Sequence, residues 1–314
     1  MRHHAWTTAM PGVFVLLWST GFIGAKFGLP YAEPFTFLAL RFIVVIALLT
    51  VVVLASKAVW PRNPRLIAHL AVSGILVHAI YLGGVFGAIR HGVPAGLVAL
   101  VAGLQPLLTA AVVGPLLGER VGGRQWLGLG LGLIGVAMVL STRLTGVRFD
   151  GFGWDGMSFA VAALLAITGG TLYQKRFCTG MDLRTGTLVQ YLAALAVSLP
   201  VAMAFETMEI RWTLPFVLAL GWLVLVLSLG AISLLMTLIR LGEAAKVASF
   251  FYLVPPVTAV LAFALFGEAL TPLALAGMAA TAVGVALVVQ RPSVRSCDSA
   301  AAAGRSRTGR PAPG

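Results

Sequence analysis

Residues 115–140 read PLLGERVGGRQWLGLGLGLIGVAMVL, and residues 264–289 read ALFGEALTPLALAGMAATAVGVALVV. Laid over each other at an offset of 149, they share Leu116 with Leu265, the pair Gly118-Glu119 with Gly267-Glu268, Gly128 with Gly277 and Gly135 with Gly284. Both arginines of the first stretch are missing from the second, where Ala269 and Leu273 replace Arg120 and Arg124. The match extends outward. Gly92, Ala95 and Pro106 fall on Gly242, Ala245 and Pro256 at an offset of 150, and Lys26 and Arg41 fall on Lys175 and Gln190 at 149. The chain is a duplication, and its two copies face different surroundings.

Composition identifies the solvent. Of 314 residues 59% are hydrophobic and 10% charged, with a mean hydropathy of +0.98, which places most of the chain in lipid. Apolar runs of about 20 residues, enough to span roughly 30 Å of hydrocarbon, occur near 10–28, 35–57, 66–89, 94–115, 123–142, 155–174, 184–205, 213–239, 244–266 and 271–290. The first resembles a signal peptide only in outline, since no small-x-small cleavage site follows it. Of the 22 lysines and arginines, only Arg90, Arg143, Arg148 and Arg211 lie on one side of these spans; Lys26 and Arg41 lie inside them, and the rest share the side of the termini. Positive charge marks the cytoplasmic side, so the net charge of +12 is a topology signal and implies no nucleic-acid partner. Both cysteines, Cys178 and Cys297, fall on the reducing side, where no disulfide framework is expected.

The expected fold is an all-α polytopic membrane protein of ten transmembrane helices, with both termini cytoplasmic. Residues 10–142 form the first five-helix repeat, residues 155–290 the second, and 291–314 a disordered basic tail. Because five is odd, the second copy enters from the opposite face, the inverted-repeat plan of secondary transporters. The opening contrast follows. Glu119 and Glu268 are expected at the starts of the fifth and tenth helices, where a carboxylate meets the positive end of the helix dipole. Arg120 and Arg124 mark a cytoplasmic loop that has no cytoplasmic equivalent in the second copy.

Trp18-Ser19 through Lys26, Pro34 and Arg41, Pro106 with Gly118-Glu119 and the glycine-rich fifth span, then Pro256, Gly267-Glu268 and Gly277, resemble the paired EamA-type repeats of the drug/metabolite transporter (DMT) superfamily. The resemblance covers about residues 12–290. It implies a ten-helix bacterial inner-membrane carrier with a central cavity, commonly an exporter of amino acids or other small metabolites.

Matched interruptions in two halves point to a transporter's site. Gln105-Pro106 and Pro255-Pro256 each lie about twelve residues into their spans, roughly 18 Å deep at 1.5 Å per residue. His78 lies halfway along the third span, where an ionisable group is a functional candidate by default. Its counterpart at an offset of 149 is the apolar Leu227, and Tyr81 shares its face. A neutral histidine bonded to a neighbouring helix is the plainer reading. Trp18, Ser19, Thr168, Tyr173, Ser228, Ser233 and Tyr252 complete the cavity candidates by offering stacking faces and hydroxyls, although each is as readily explained by interhelical packing. Lys26, Arg41 and Glu33 form a charge cluster at the outer mouth, to steer a carboxylate-bearing solute or to pin the first hairpin, and Arg41, deeper and harder to expose, is also a candidate for the cavity. Glycines 24, 28, 128, 130, 132 and 135 suit close helix contact, including contact within a homodimer.

All ten acidic residues fall at span ends, in loops or in the tail. Without an embedded carboxylate the expected mode is facilitated export, with proton antiport through His78 as the alternative. No Walker motif, metal-binding pattern or cofactor motif is present. A membrane-embedded hydrolase using His78 with Ser228 or Ser233 is the remote alternative, but neither serine has a Gly-x-Ser-Gly context, so no catalytic residue is assigned.

Overall fold

The computed structural model describes residues 2–93, 98, 101–144, 154–242, 244–266 and 270–289. Among these residues all regular structure is helical apart from one isolated bridge between Ala32 and Ile210. We label the rods in chain order: α1 Arg2–Gly28, α2 Pro34–Ala55, α3 Pro64–Arg90, α4 Gln105–Leu117, α5 Gly123–Leu144, α6 Trp154–Phe177, α7 Leu183–Phe205 and α8 Leu214–Leu241. Rod α9 comprises Ala244–Ser249, a 3₁₀ turn at Phe250–Leu253 and Val254–Phe266, and α10 is Pro272–Val289. Prolines 34, 64 and 215 sit in first turns, where the missing N–H would have had no helical partner. Asn63, Asp182 and Thr213 cap α3, α7 and α8 by accepting from Arg65, Arg184 and Phe216 N–H groups.

Among the described residues seven rods, α2, α3, α5, α6, α7, α8 and α10, are long and apolar enough to cross a membrane. The other three expected spans appear as shorter apolar helices, Ala9–Gly21, Gln105–Leu117 and Ala245–Leu261. In α4 and α9 the shortening has a cause. A turn at Gly103–Leu104 precedes Gln105-Pro106, and the 3₁₀ turn precedes Pro255-Pro256, because proline removes an N–H and crowds the preceding turn.

The quoted glycines decide how the halves meet. A methyl group built on Gly128 would lie 2.6 Å from the Gly284 carbonyl oxygen, and one on Gly135 would lie 2.5 Å from that of Gly277. The reciprocal approaches, Gly284 to Gly128 and Gly277 to Gly135, are 2.6 Å each. The early part of α5 therefore packs on the late part of α10 and vice versa, so two sequence-equivalent helices run antiparallel with backbones in near contact. The glycines offered for a homodimer are thus filled within the chain at these positions, while Gly130 meets nothing within 4 Å.

Glu119 departs from expectation. Gly118 adopts φ 70° and closes α4, and the first turn of α5 contains no acidic residue. Gln125 accepts from the Gly122 N–H there at 2.9 Å. The Gly-Glu pair ends the fourth helix because glycine takes the left-handed cap at no steric penalty. Glu119 instead pairs with Lys175 of α6 at 2.6 Å. Glu268 lies outside the described residues, as do the side chain of Lys26 and the tail.

Candidate functional site

Helices α3 and α8 each open into a π-helical stretch, Ile75–Ile80 and Leu223–Ala231. Such wide turns often occur at functional positions. Each carries a buried polar residue, His78 in one and Ser228 in the other. Packing also fixes their equivalence. Gly21 of α1 abuts Leu227, and its counterpart Gly170 of α6 abuts Val77. The offset here is therefore 150, and His78 corresponds to Ser228, not to Leu227 as the 149 spacing indicates; the extra residue of the second copy enters before this point.

These two residues belong to one buried polar layer. The Arg41 Nε donates to the Ser228 hydroxyl at 2.9 Å, with Arg41 only 3% exposed. Arg41 is therefore not an outer-mouth charge. It points across to α8, about two turns inside α2, and is enclosed by protein rather than reaching an interface. His78 stacks on Tyr191 with ring centroids 4.3 Å apart and planes at 16°, and neither of its ring nitrogens has a hydrogen-bond partner. The Tyr191 hydroxyl donates to the Ser228 carbonyl at 3.4 Å. Beside them Gln190, the counterpart of Arg41, donates to Gln174 at 2.6 Å and to Ser73 at 3.3 Å, leaving its own carbonyl oxygen unpartnered. The residues Tyr191, Gln174 and Ser73 were missed in the sequence. For these three, the match of Gln190 to Arg41 is the only sequence signal, whereas His78, Ser228 and Arg41 stand out as polar residues within apolar spans.

The helix breaks enclose a second locus. Gln105 and Thr171 are the polar residues lining a small cleft, together with Leu235, Ile239, Val247 and Phe251. The Gln105 amide nitrogen and the hydroxyls of Thr109 and Tyr252 are buried without partners. Pro106 and Pro256 are buried, and Pro255 is partly so. Trp18 packs edge-on against Phe251 at 5.2 Å, and Tyr81 is buried. Ser19 donates to Val15 and, across to α9, to Val254. The other candidates lie elsewhere. Thr168 bonds back to Leu164 at 2.7 Å, satisfying its own helix. Tyr173 pairs with His69 at 2.6 Å, and Ser233 is exposed on the outer face of α8, where the helical period turns it away from Ser228. Tyr173 and Ser233 therefore join neither locus.

Both ends of the bundle are tied across the halves. At one end Glu206, which follows α7, accepts from the Phe35 and Thr36 N–H groups at 2.8 and 2.7 Å and from the Thr36 hydroxyl at 2.7 Å. It thereby caps α2 of the opposite half. Glu33 returns the exchange, accepting from the Thr207 N–H at 2.6 Å and hydroxyl at 2.7 Å, and pairs with Arg90 at 3.1 Å. At the other end Lys175 joins Glu119 and donates to the Gly242 carbonyl, so this lysine ties three segments.

The Thr207 donors, and more weakly the Arg90 charge, outweigh burial and hold the Glu33 carboxyl below its ordinary 4.5. A depressed folded value contributes stability that is present above the unfolded value and lost as pH falls through the folded one. The Glu33 tie is thus expected to persist down to pH 4.5 and to loosen below it. Hydrogen exchange at the Thr207 amide across that range measures this; unchanged protection in acid would count against the contribution.

The model of the EamA-like transporter family matches residues 12–141 and again 154–290. This chain belongs to that family. The EamA-like chain is 27% identical over 274 residues to the "Uncharacterized inner membrane transporter YedA" of Escherichia coli, covering 87% of each. It is 26% identical to the "Probable amino-acid metabolite efflux pump" of Salmonella typhimurium, covering 84% of this chain and 88% of that one. A solved crystal structure superposes with a TM-score of 0.74 at 21% identity, covering 90% of this chain and 96% of that one, and so shares the fold. With seven apolar helices of crossing length, this is a multi-pass transporter of the bacterial inner membrane.

Proposed function

We propose that this EamA-like protein is a secondary transporter that exports amino acids or related small metabolites by alternating access. In this reading two inverted repeats, residues 10–142 and 155–290, cross the membrane ten times with both termini cytoplasmic. The observation that carries it is the antiparallel near-contact of the equivalent helices α5 and α10, since equivalent elements of an inverted pair must run in opposite directions. Buried unpartnered groups at Gln105, Thr109, Tyr252 and His78 supply polar contacts for a solute at midmembrane depth. The tied ends then act as gates. The positive-inside rule assigns the Glu33–Glu206 end to the outside and the Lys175 end to the cytoplasm. The amino-acid name of the Salmonella relative supports the solute class.

His78-linked proton antiport is the second reading, favoured by an imidazole with both nitrogens free at the core and by the placement of Glu33, Glu119, Asp155, Asp182, Glu206 and Glu209 at helix ends or in loops. Counterflow in proteoliposomes, against amino acids, sugars and organic cations, tests both. Exchange of amino acids is expected. Flux that accelerates with a pH gradient and loses that response in His78→Leu selects antiport, whereas a pH-indifferent flux selects facilitated export. Solute turnover without flux would remove the transport reading.

A further inference from the structure

A buried charge is normally paired, because an unpaired ion in a low-dielectric interior is destabilising by several kcal/mol. Arg41 breaks this rule. Its one hydrogen bond is to a neutral hydroxyl, and among the described residues no carboxylate stands within ion-pairing distance. It is too enclosed, at 3% exposure, to reach lipid headgroups. In the same layer is the imidazole of His78, stacked on Tyr191, whose hydroxyl bonds the Ser228 carbonyl, and lacking a partner at either nitrogen. These side chains meet where the two halves touch, since Phe42 and its counterpart Tyr191 pack with centroids 5.5 Å apart. His78 and Ser228 both lie on π-helical stretches, which often mark functional positions.

The geometry points to Arg41 as the anion-binding point of the carrier, holding the carboxylate of the solute with the His78 N–H as a second donor. This inference rests on the transport reading above and names the part of the solute that must be recognised. A planar guanidinium with Nε fixed on Ser228 presents its two terminal nitrogens as a fork, the geometry that suits a carboxylate. An incoming anion supplies the missing counter-charge, so the empty protein lacks a stabilisation that the loaded one gains.

The test uses the full chain, purified and reconstituted, as wild type, Arg41→Lys and Arg41→Met. Thermal unfolding is followed with each proteinogenic amino acid, with the corresponding decarboxylated amines, and with sodium phosphate or chloride; counterflow is run in parallel. Amino acids are expected to raise the melting temperature of the wild type, and the amines are not. Arg41→Met is expected to weaken apparent affinity at least about tenfold, the worth of a charged hydrogen bond, with Arg41→Lys intermediate. The unliganded Arg41→Met protein should melt no lower than wild type, because an uncompensated charge has gone; a lower melting point would make Arg41 a structural strut and overturn the proposal. Equal stabilisation by amines, or by phosphate or chloride alone, overturns it as well. Flux that survives in Arg41→Met leaves the transporter standing without this site. Carboxylate binding through Arg41 without flux leaves the site standing without the transport reading, and neither flux nor binding removes both.

Discussion

Gly135→Val is expected to destabilise the folded protein strongly, whereas Gly130→Val on the same helix leaves it intact. A Cβ at position 135 would meet the Thr281 hydroxyl, the Gly277 carbonyl at 2.5 Å and the Thr281 nitrogen at 2.6 Å. Two of the three are backbone atoms of α10, which cannot swing aside as a flexible side chain can. The helices must separate along the seam, which also loses the Gly128–Gly284 approach and the packing of Tyr252 on Gly132. Overpacking typically destabilises by about 1–3 kcal/mol, and rigid backbone on the facing side puts this case at or above that range, a large part of a total stability of roughly 5–15 kcal/mol. Position 130 has nothing within 4 Å of a built Cβ. Monodisperse yield and melting temperature in detergent measure the pair. Equal behaviour of the two variants would show that α5 and α10 do not meet along this seam.

The second large effect concerns the proposed outer gate. Thr36 and Glu206 belong to different halves, and the hydroxyl of one donates to the carboxylate of the other at 2.7 Å. With both replaced by cysteine in a Cys178→Ala, Cys297→Ala background, a short bifunctional thiosulfonate should bind α2 to the segment after α7. If the carrier works by separating these segments, cross-linked exchange falls below about a tenth of the uncross-linked rate, since a step gated by closure cannot proceed with the gate held shut. A reductant should restore it. Exchange that continues unchanged after complete cross-linking would mean that this end does not open during transport. The uncross-linked double variant serves as the reference, because it has already lost the carboxylate that caps α2.

The outcome for individual residues separates what is local in this protein from what is not. The prolines that follow the two helix breaks are legible in the sequence because proline acts on its own and the preceding turn. His78 was legible as an ionisable group in an apolar run, but its partner Tyr191 lies on a helix more than a hundred residues away and has no local signature. Glu119 misled because a helix that ends and a helix that begins use the same residues within a few positions; the left-handed Gly118 decided between them. Depth along its helix leaves Arg41 a candidate for both mouth and cavity, and only the direction of its side chain, toward Ser228, separates the two.

Sequence alone determined the solvent and the duplication. These follow from residue type and spacing, since the bilayer acts on each segment by its length and charge irrespective of its neighbours. Only the tertiary structure decided that α5 and α10 run antiparallel in near contact, that His78 corresponds to Ser228, and that Arg41 and His78 share one layer with unmet hydrogen-bonding capacity. Each of those depends on where distant helices cross, and one added residue between the copies or one widened turn changes which side chains meet there.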